Sequence, residues 1–393
     1  MPLALFALTI AAYAIGTTEF VSVGLLPTIA ADFRITLPSA GMIVSIYALG
    51  VTFGAPVLTA LTGRFPRKAL LLSLMLLFIA GNLLAAFSSS FALLLIGRVL
   101  TAFAHGVFFS VGATIAAGLV PENRRASAIA LMFMGLTVAI VTGVPLGTLI
   151  GQTFGWRATF LAVSGLGLVA LLGIAALLPA TLPRGEPSRL IDQLRVLGSG
   201  RLLLAFAMTA LGYGGTFVAF TFLAAILQEI TGFAASSVSL VLVLYGVAIA
   251  AGNLAGGRLA NTDPVKALAW LFAAQTLALI LFFFTARATI PALLTLAAMG
   301  FLSFANVPGL QLYVVELAKR FRPEGVDTAS ALNIAAFNLG IAVGASVGGE
   351  IVASPLGLGT TPLVGAILVA GAAGLTLWSG ALDRRREVRS CEA

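Results

Sequence analysis

Gly54–Leu70 reads GAPVLTALTGRFPRKAL, and Gly252–Leu268 reads GNLAGGRLANTDPVKAL. Aligned at an offset of 198, Gly54 meets Gly252, Pro66 meets Pro264, and Lys68-Ala69-Leu70 meets Lys266-Ala267-Leu268. In each stretch an apolar run breaks into a short turn marked by proline and basic residues, and a new apolar run begins. An unrelated pattern repeats at almost the same distance: Gly143, Gly147 and Gly151 recur 197 positions later as Gly340, Gly344 and Gly348. Two patterns that agree on half the 393-residue chain read as one structural unit present twice.

Outward from these turns the chain is apolar: 60% of residues are hydrophobic, 9% are charged, and the mean hydropathy is +1.10. A soluble domain carries roughly 25% charged residues. So few charges cannot cover a soluble surface, which excludes a soluble enzyme, a nucleic-acid-binding domain and a disordered chain. A bilayer-spanning helix needs about 20 apolar residues. Twelve such segments can be read, from Leu3–Ala31 to Leu363–Leu382. The first has no basic leader, is too long for a signal peptide and contains Glu19, so it is read as a span. Between spans six and seven, Pro179, Pro183 and Pro187 stand among four Arg. The expected organisation is a six-helix bundle at 1–180, a cytoplasmic linker at 181–201, and a second bundle with a short basic tail at 202–393.

The net charge of +8 carries topology rather than nucleic-acid affinity. Eighteen of the 22 Lys and Arg fall on one set of loops and the tail, against Arg34, Arg157 and Arg287 on the other, with Arg98 inside a span. The positive-inside rule then puts both termini in the cytoplasm. Six spans per copy leave both copies in the same orientation, an arrangement found in transporters. The expected fold class is an all-α membrane protein of twelve transmembrane helices in two six-helix bundles related by pseudo-two-fold symmetry. The glycine rows fit either close helix packing or smooth faces on which two bundles rock.

The residues in order resemble the major facilitator superfamily, and within it the drug:proton antiporter-1 branch with its bacterial sugar-efflux and arabinose-efflux-like members. The resemblance rests on Thr18-Glu19-Phe20, Gly24-Leu25-Leu26-Pro27 and Ala30-Ala31-Asp32-Phe33 in span one, and on Gly97-Arg98-Val99-Leu100 and His105-Gly106-Val107-Phe108-Phe109 in span four. It continues with Gly143-Val144-Pro145-Leu146-Gly147, which is similar to the family's antiporter motif, then Gly155-Trp156-Arg157, and Asn338-Leu339-Gly340 in span eleven. It covers essentially the whole chain. It implies a monomeric multi-pass protein of the bacterial inner membrane that exports a small molecule in exchange for protons. A uniporter or importer on the same fold is the nearest alternative. A non-transporting receptor or scramblase would need no deep acid.

An ionisable side chain at mid-bilayer costs ~3 kcal/mol or more, so each is a functional candidate. Glu19 lies near the middle of span one, Arg98 lies in span four, and His105 follows seven residues later on the same face. Glu19 is the candidate proton carrier; otherwise it bonds backbone and fixes packing. Arg98 resembles the family's span-four Arg, which the resemblance implicates in proton coupling; otherwise it is a counter-ion or a backbone brace. His105 is either a relay or a satisfied packing residue. The second half carries rings and amides where the first carries charges: Tyr213, Phe217, Phe220, Asn253, Asn306, Gln311, Asn333, Phe337 and Asn338 are the candidate substrate-cavity residues. An apolar wall with a few polar groups suits a small-molecule site, here for a sugar-like or amphiphilic monovalent compound. The one His and the lone Cys391 exclude multi-histidine and Cys-based metal sites, and no cofactor or catalytic motif is read. The expected partners are substrate, protons and the lipid bilayer, with no nucleic acid.

The turn that opened this section departs from the family pattern. The conformational motif is read as Gly63, Arg64, Arg67 and Lys68, with Asn261 opposite Gly63 and with Gly143, Pro145 and Gly147 in span five. The resemblance implies an acidic residue at position 63, one that docks the loop in the outward-open state; here neither copy has one. A lost charge-assisted contact is worth roughly 1–3 kcal/mol, a shift of about 5- to 150-fold between two states. The substrate-free protein is therefore expected to rest inward-open. Gly63→Asp is expected to move the population outward, read as electron–electron resonance distances between spin labels on the inner loops; no shift contradicts the expectation.

Overall fold

Where no water reaches the backbone, each amide must bond within its own segment, so a spanning chain is helical. The computed structural model describes residues 2–62, 65–121, 125–179, 182, 195–260 and 263–392. Within them, twelve helical segments are long and apolar enough to cross a membrane. They are α1 (Leu3–Phe33), α2 (Leu37–Thr62), α3 (Arg67–Ala86), α4 (Phe91–Gly118), α5, α6 (Trp156–Leu177), α7, α8 (Ala235–Ala260), α9 (Pro264–Thr285), α10 (Thr289–Phe321), α11 (Val326–Ala353) and α12 (Thr361–Glu392). α5 runs from Arg125–Val138 through a π turn, Ala139–Gly143, into Val144–Phe154. The wide turn precedes Pro145, which has no N–H to close an α-helical turn. α7 runs from Gly200–Phe220 through Leu223–Ala225 to a π turn at Ile226–Ile230.

Local chemistry sets the ends. α1 stops at Arg34, whose left-handed φ of 55° lets its N–H reach Ala30 and Ala31 while Ile35 bonds back to Ala30. Ser90 caps α4 by accepting from the Leu93 amide at 3.3 Å. The two prolines of the sequence repeat both stand at helix starts, Pro66 just before α3 and Pro264 as the first residue of α9. Asp263 caps α9 through the Lys266 amide at 3.0 Å, and that bond and the Lys266 charge hold its carboxyl below the usual range. Lys68, at the start of α3, donates to the carbonyls of Ala175 and Leu178, both at 2.7 Å, so a cation closes the C-terminal end of α6. Arg67 beside it is half-buried. Gly63, Arg64 and Asn261 lie outside the described residues.

The chain divides into two compact units, Met1–Leu190 with Ala234–Val243, and Ile191–Phe233 with Leu244–Ala393. In the first, α1 is the most enclosed helix and touches α2, α3, α4, α5 and α6; in the second, α7 is enclosed by α10, α11 and α12. The repeat survives in the helix bounds. α1 and the Gly200–Ile230 span differ by 197 at both ends, and α2 and α8 by 198. It survives in the packing as well. Gly143 faces Thr17 and Gly340 faces Gly214; Gly151 faces Leu25 and Gly348 faces Phe222. The glycine rows are thus occupied inside their own units, against α1 and α7, as close packing requires. The alternative of free sliding faces does not hold for these positions, because any Cβ there would meet the neighbouring helix.

α8 and α10 approach most closely at Gly252 and Gly256, where a Cβ would collide with the backbone of Phe301 and Ala305. Gly257, one residue on, meets only the Pro308 ring at 3.9 Å. Gly256→Ala is expected to destabilise by about 1–3 kcal/mol and Gly257→Ala to be near neutral, read as melting temperature in detergent.

Candidate functional site

The enclosed middle of α1 brings Glu19 to the two candidate residues of α4. His105 Nδ1 lies 3.8 Å from Glu19 Oε2, and both side chains are buried. A third residue completes the group. Tyr47 of α2 bonds His105 Nδ1 through its hydroxyl at 2.9 Å, and its ring lies under the Arg98 guanidinium at 4.1 Å. Sequence reasoning missed Tyr47. A neutral aromatic in an apolar helix gives no signal of its own, although at an offset of 198 it matches Tyr245.

Arg98 is 1% exposed, and a buried cation without partners is costly. Its partners are on α1. One terminal nitrogen donates to the Thr18 carbonyl at 2.7 Å and the other to the Glu19 carbonyl at 3.4 Å. Among the described residues these bonds are to backbone and to the Thr18 hydroxyl, and Nε has none. Arg98 thus bonds the α1 backbone beside Glu19 rather than the Glu19 carboxylate. The ring of His105 continues into Phe109 and Phe133 at centroid distances of 5.0 and 5.1 Å. The result is a buried acid, an imidazole facing it, and a cation bonded to the backbone of the acid's own turn. Chemically this set can hold or release a proton according to which partner the carboxyl meets.

The second unit has the same position in neutral form. Tyr245 and Ser303, each 198 beyond Tyr47 and His105, are joined by a side-chain hydrogen bond. Tyr245 stacks on Phe220, which meets Phe217, which meets Tyr213. Tyr213 also meets Phe304 and Phe337 edge-on at 5.5 and 5.1 Å. The structure thus brings Tyr213, Phe217, Phe220 and Phe337 together and adds Phe304 and Tyr245. It does not bring the amides to them as one set. Asn333 accepts from Thr209 at 2.7 Å and donates to Gln311 at 2.8 Å, and Gln311 in turn donates to Ser330 at 2.5 Å. That chain occupies the Asn333 and Gln311 amides in joining α7, α10 and α11. Asn306 is buried with both amide atoms unpartnered, Asn338 donates to the Ile334 carbonyl, and Asn253 is half-buried.

The amino-acid chain matches known proteins throughout. Residues 8–345 match the family model described as the Major Facilitator Superfamily. The uncharacterized MFS-type transporter YtbD of Bacillus subtilis is 54% identical over 97% of this chain and 96% of its own. A probable sugar efflux transporter of Mannheimia succiniciproducens is 32% identical over 91% and 89%. A solved structure, a bacterial homologue of the human lysosomal transporter Spinster, superposes with a TM-score of 0.77 over 96% of both chains at 16% identity, which is a likeness of fold.

His105 is the single histidine, so imidazole nitrogen NMR reports it alone. A phenol donates better than it accepts, so Nδ1 is expected to be the acceptor and Nε2 to carry the hydrogen. Tyr47→Phe is expected to move the Nδ1 resonance and leave the Nε2 tautomer; an unmoved Nδ1 signal contradicts the Tyr47 bond.

Proposed function

The chain belongs to the Major Facilitator Superfamily, as a multi-pass transporter of the bacterial inner membrane and not an enzyme, and we propose that it exports a small molecule in exchange for protons. Glu19 carries the proton, and the observation that carries this reading is a buried carboxyl in the most enclosed helix of the first unit, with His105 at 3.8 Å. Burial favours the neutral acid and a nearby cation favours the ion, so a change in access at Glu19 loads or unloads the proton. Arg98 sets that balance from its place on the α1 backbone. His105 receives or returns the proton at Nδ1 once the Tyr47 hydroxyl has released that lone pair.

The substrate is a sugar-like or amphiphilic compound held on the aromatic face of Tyr213, Phe217, Phe220 and Phe337, with hydrogen bonds from Asn253, Asn306 and Asn338 and with Gln311 and Asn333 bracing that wall. The ring distances and the two unpartnered amide atoms of Asn306 support this assignment. So does the word efflux in the name of one relative. The halves 1–180 and 202–393, joined by the linker 181–201, alternate access as a monomer with both termini in the cytoplasm. The missing acid at Gly63 and Asn261 biases the substrate-free state inward-open. One proton moving through 100 mV releases ~2.3 kcal/mol, enough for about a 50-fold substrate gradient.

Proteoliposomes test this. Adding substrate is expected to change the lumenal pH, which a uniporter would not do. Glu19→Gln is expected to abolish uphill transport and spare counterflow, while Arg98→Ala raises the pH midpoint of proton-linked transport. Undiminished uphill transport in Glu19→Gln overturns the assignment.

A further inference from the structure

A buried guanidinium beside a buried carboxyl would be expected to bond it directly, in the two-pronged geometry that suits the pair. Arg98 instead rests on the α1 backbone, and two side chains outside the acid–base group hold it there. Asn82 of α3 donates through Nδ2 to the Phe78 carbonyl at 2.9 Å, which fixes the end of its amide that faces α1. Its Oδ1 accepts from the Thr18 hydroxyl at 2.6 Å. With its hydrogen committed to Asn82, the Thr18 oxygen turns lone pairs toward Arg98, whose terminal nitrogen lies 3.4 Å from it and 2.7 Å from the Thr18 carbonyl. Thr18, Asn82 and Arg98 are all buried, so water replaces none of these bonds. On its other side the guanidinium is closed by the Tyr47 ring. The second unit supplies the contrast. The positions related to Thr18 and Arg98, by 197 and 198, are Gly215 and Leu296, so the arrangement exists where the acid does.

We infer that Thr18 and Asn82 are positioning residues for proton coupling: they hold Arg98 on the α1 backbone, keep it from pairing with the Glu19 carboxylate, and so keep that carboxyl able to take up a proton. This rests on the reading of Glu19 as the proton carrier. The titratable and charged groups that face Glu19 are Tyr47 from α2 and Arg98 and His105 from α4. α5 contributes none among its described side chains. Those of α3 and α6 sit at the helix starts, with Lys68 on the end of α6 and Arg157 on Asp32. Released from Thr18, the guanidinium turns to the carboxylate and favours its ionised form.

The test measures the pH midpoint of substrate counterflow in proteoliposomes for Thr18→Val, Thr18→Ser, Asn82→Leu and the Thr18→Val, Asn82→Leu pair. Thr18→Val and Asn82→Leu are each expected to lower the midpoint by about one unit, roughly a tenfold loss of proton affinity. The pair is expected to lower it no further, because both remove one bond. Thr18→Ser keeps the hydroxyl and is expected to match the parent. Infrared titration of the protonated-carboxyl band, assigned by its loss in Glu19→Gln, reads the same shift without transport and serves if Asn82→Leu folds poorly, since Thr18→Val keeps the branched shape of the side chain. A Glu19 band with the same midpoint in the parent and in Thr18→Val, or additive shifts in the pair, overturns this inference alone. A Glu19→Gln protein that still pumps uphill overturns the reading beneath it.

Discussion

Hydrocarbon offers no hydrogen bonds, and that constraint shapes this protein at every scale. It makes the backbone helical. It also turns hydroxyls inward: Thr17, Thr52, Thr148 and Thr376 each bond the carbonyl four residues back on their own helix. It brings Lys68 to the exposed carbonyls at the end of α6, where the peptide dipoles leave partial negative charge. The same need explains why Arg98 reaches across to α1: a buried cation takes the acceptors it can find, and two backbone carbonyls are there.

Duplication gave this constraint two different solutions. In the first unit the α1–α2–α4 meeting point holds Glu19, Tyr47, Arg98 and His105. In the second, the related positions hold Tyr245 and Ser303 among rings. Helix α3 ties into α1 through Asn82 and Thr18 at 2.6 Å. Its counterpart α9 ties into α7 through Gln275 and Thr216 at 3.2 Å. One scaffold therefore carries a charged centre in one copy and a neutral, aromatic one in the other. The proposed function divides proton and substrate along that difference.

A further polar cluster shows that charge at a helix end follows the same logic. Arg201 at the start of α7 bonds Asp383 of α12 at 2.7 Å, and Tyr313 of α10 donates to the other carboxylate oxygen at 2.8 Å. Three helices are thereby joined around one carboxylate. In the first unit, Asp32 plays the matching part for Arg157 and Trp156, tying α1 to α6. These pairs hold helices together within a unit.

Twelve spans, the half-length repeat and the deep positions of Glu19, Arg98 and His105 were legible in the chain, because hydropathy, period and rare intramembrane charge are properties of residues in order. Depth along a helix follows from rise per residue, so Glu19 and His105 could be placed at similar depth, though not in contact. Which atoms meet could not. The order of residues leaves Arg98 free to bond a carboxylate or a backbone. Tyr47, Thr18 and Asn82 looked like ordinary span residues, and the order of residues does not say that Asn333 and Gln311 bond each other. Rotation of each helix about its axis and the orientation of each amide and hydroxyl are decided by the neighbours it packs against. That is information about contacts distant in the chain, and only the tertiary structure contains it.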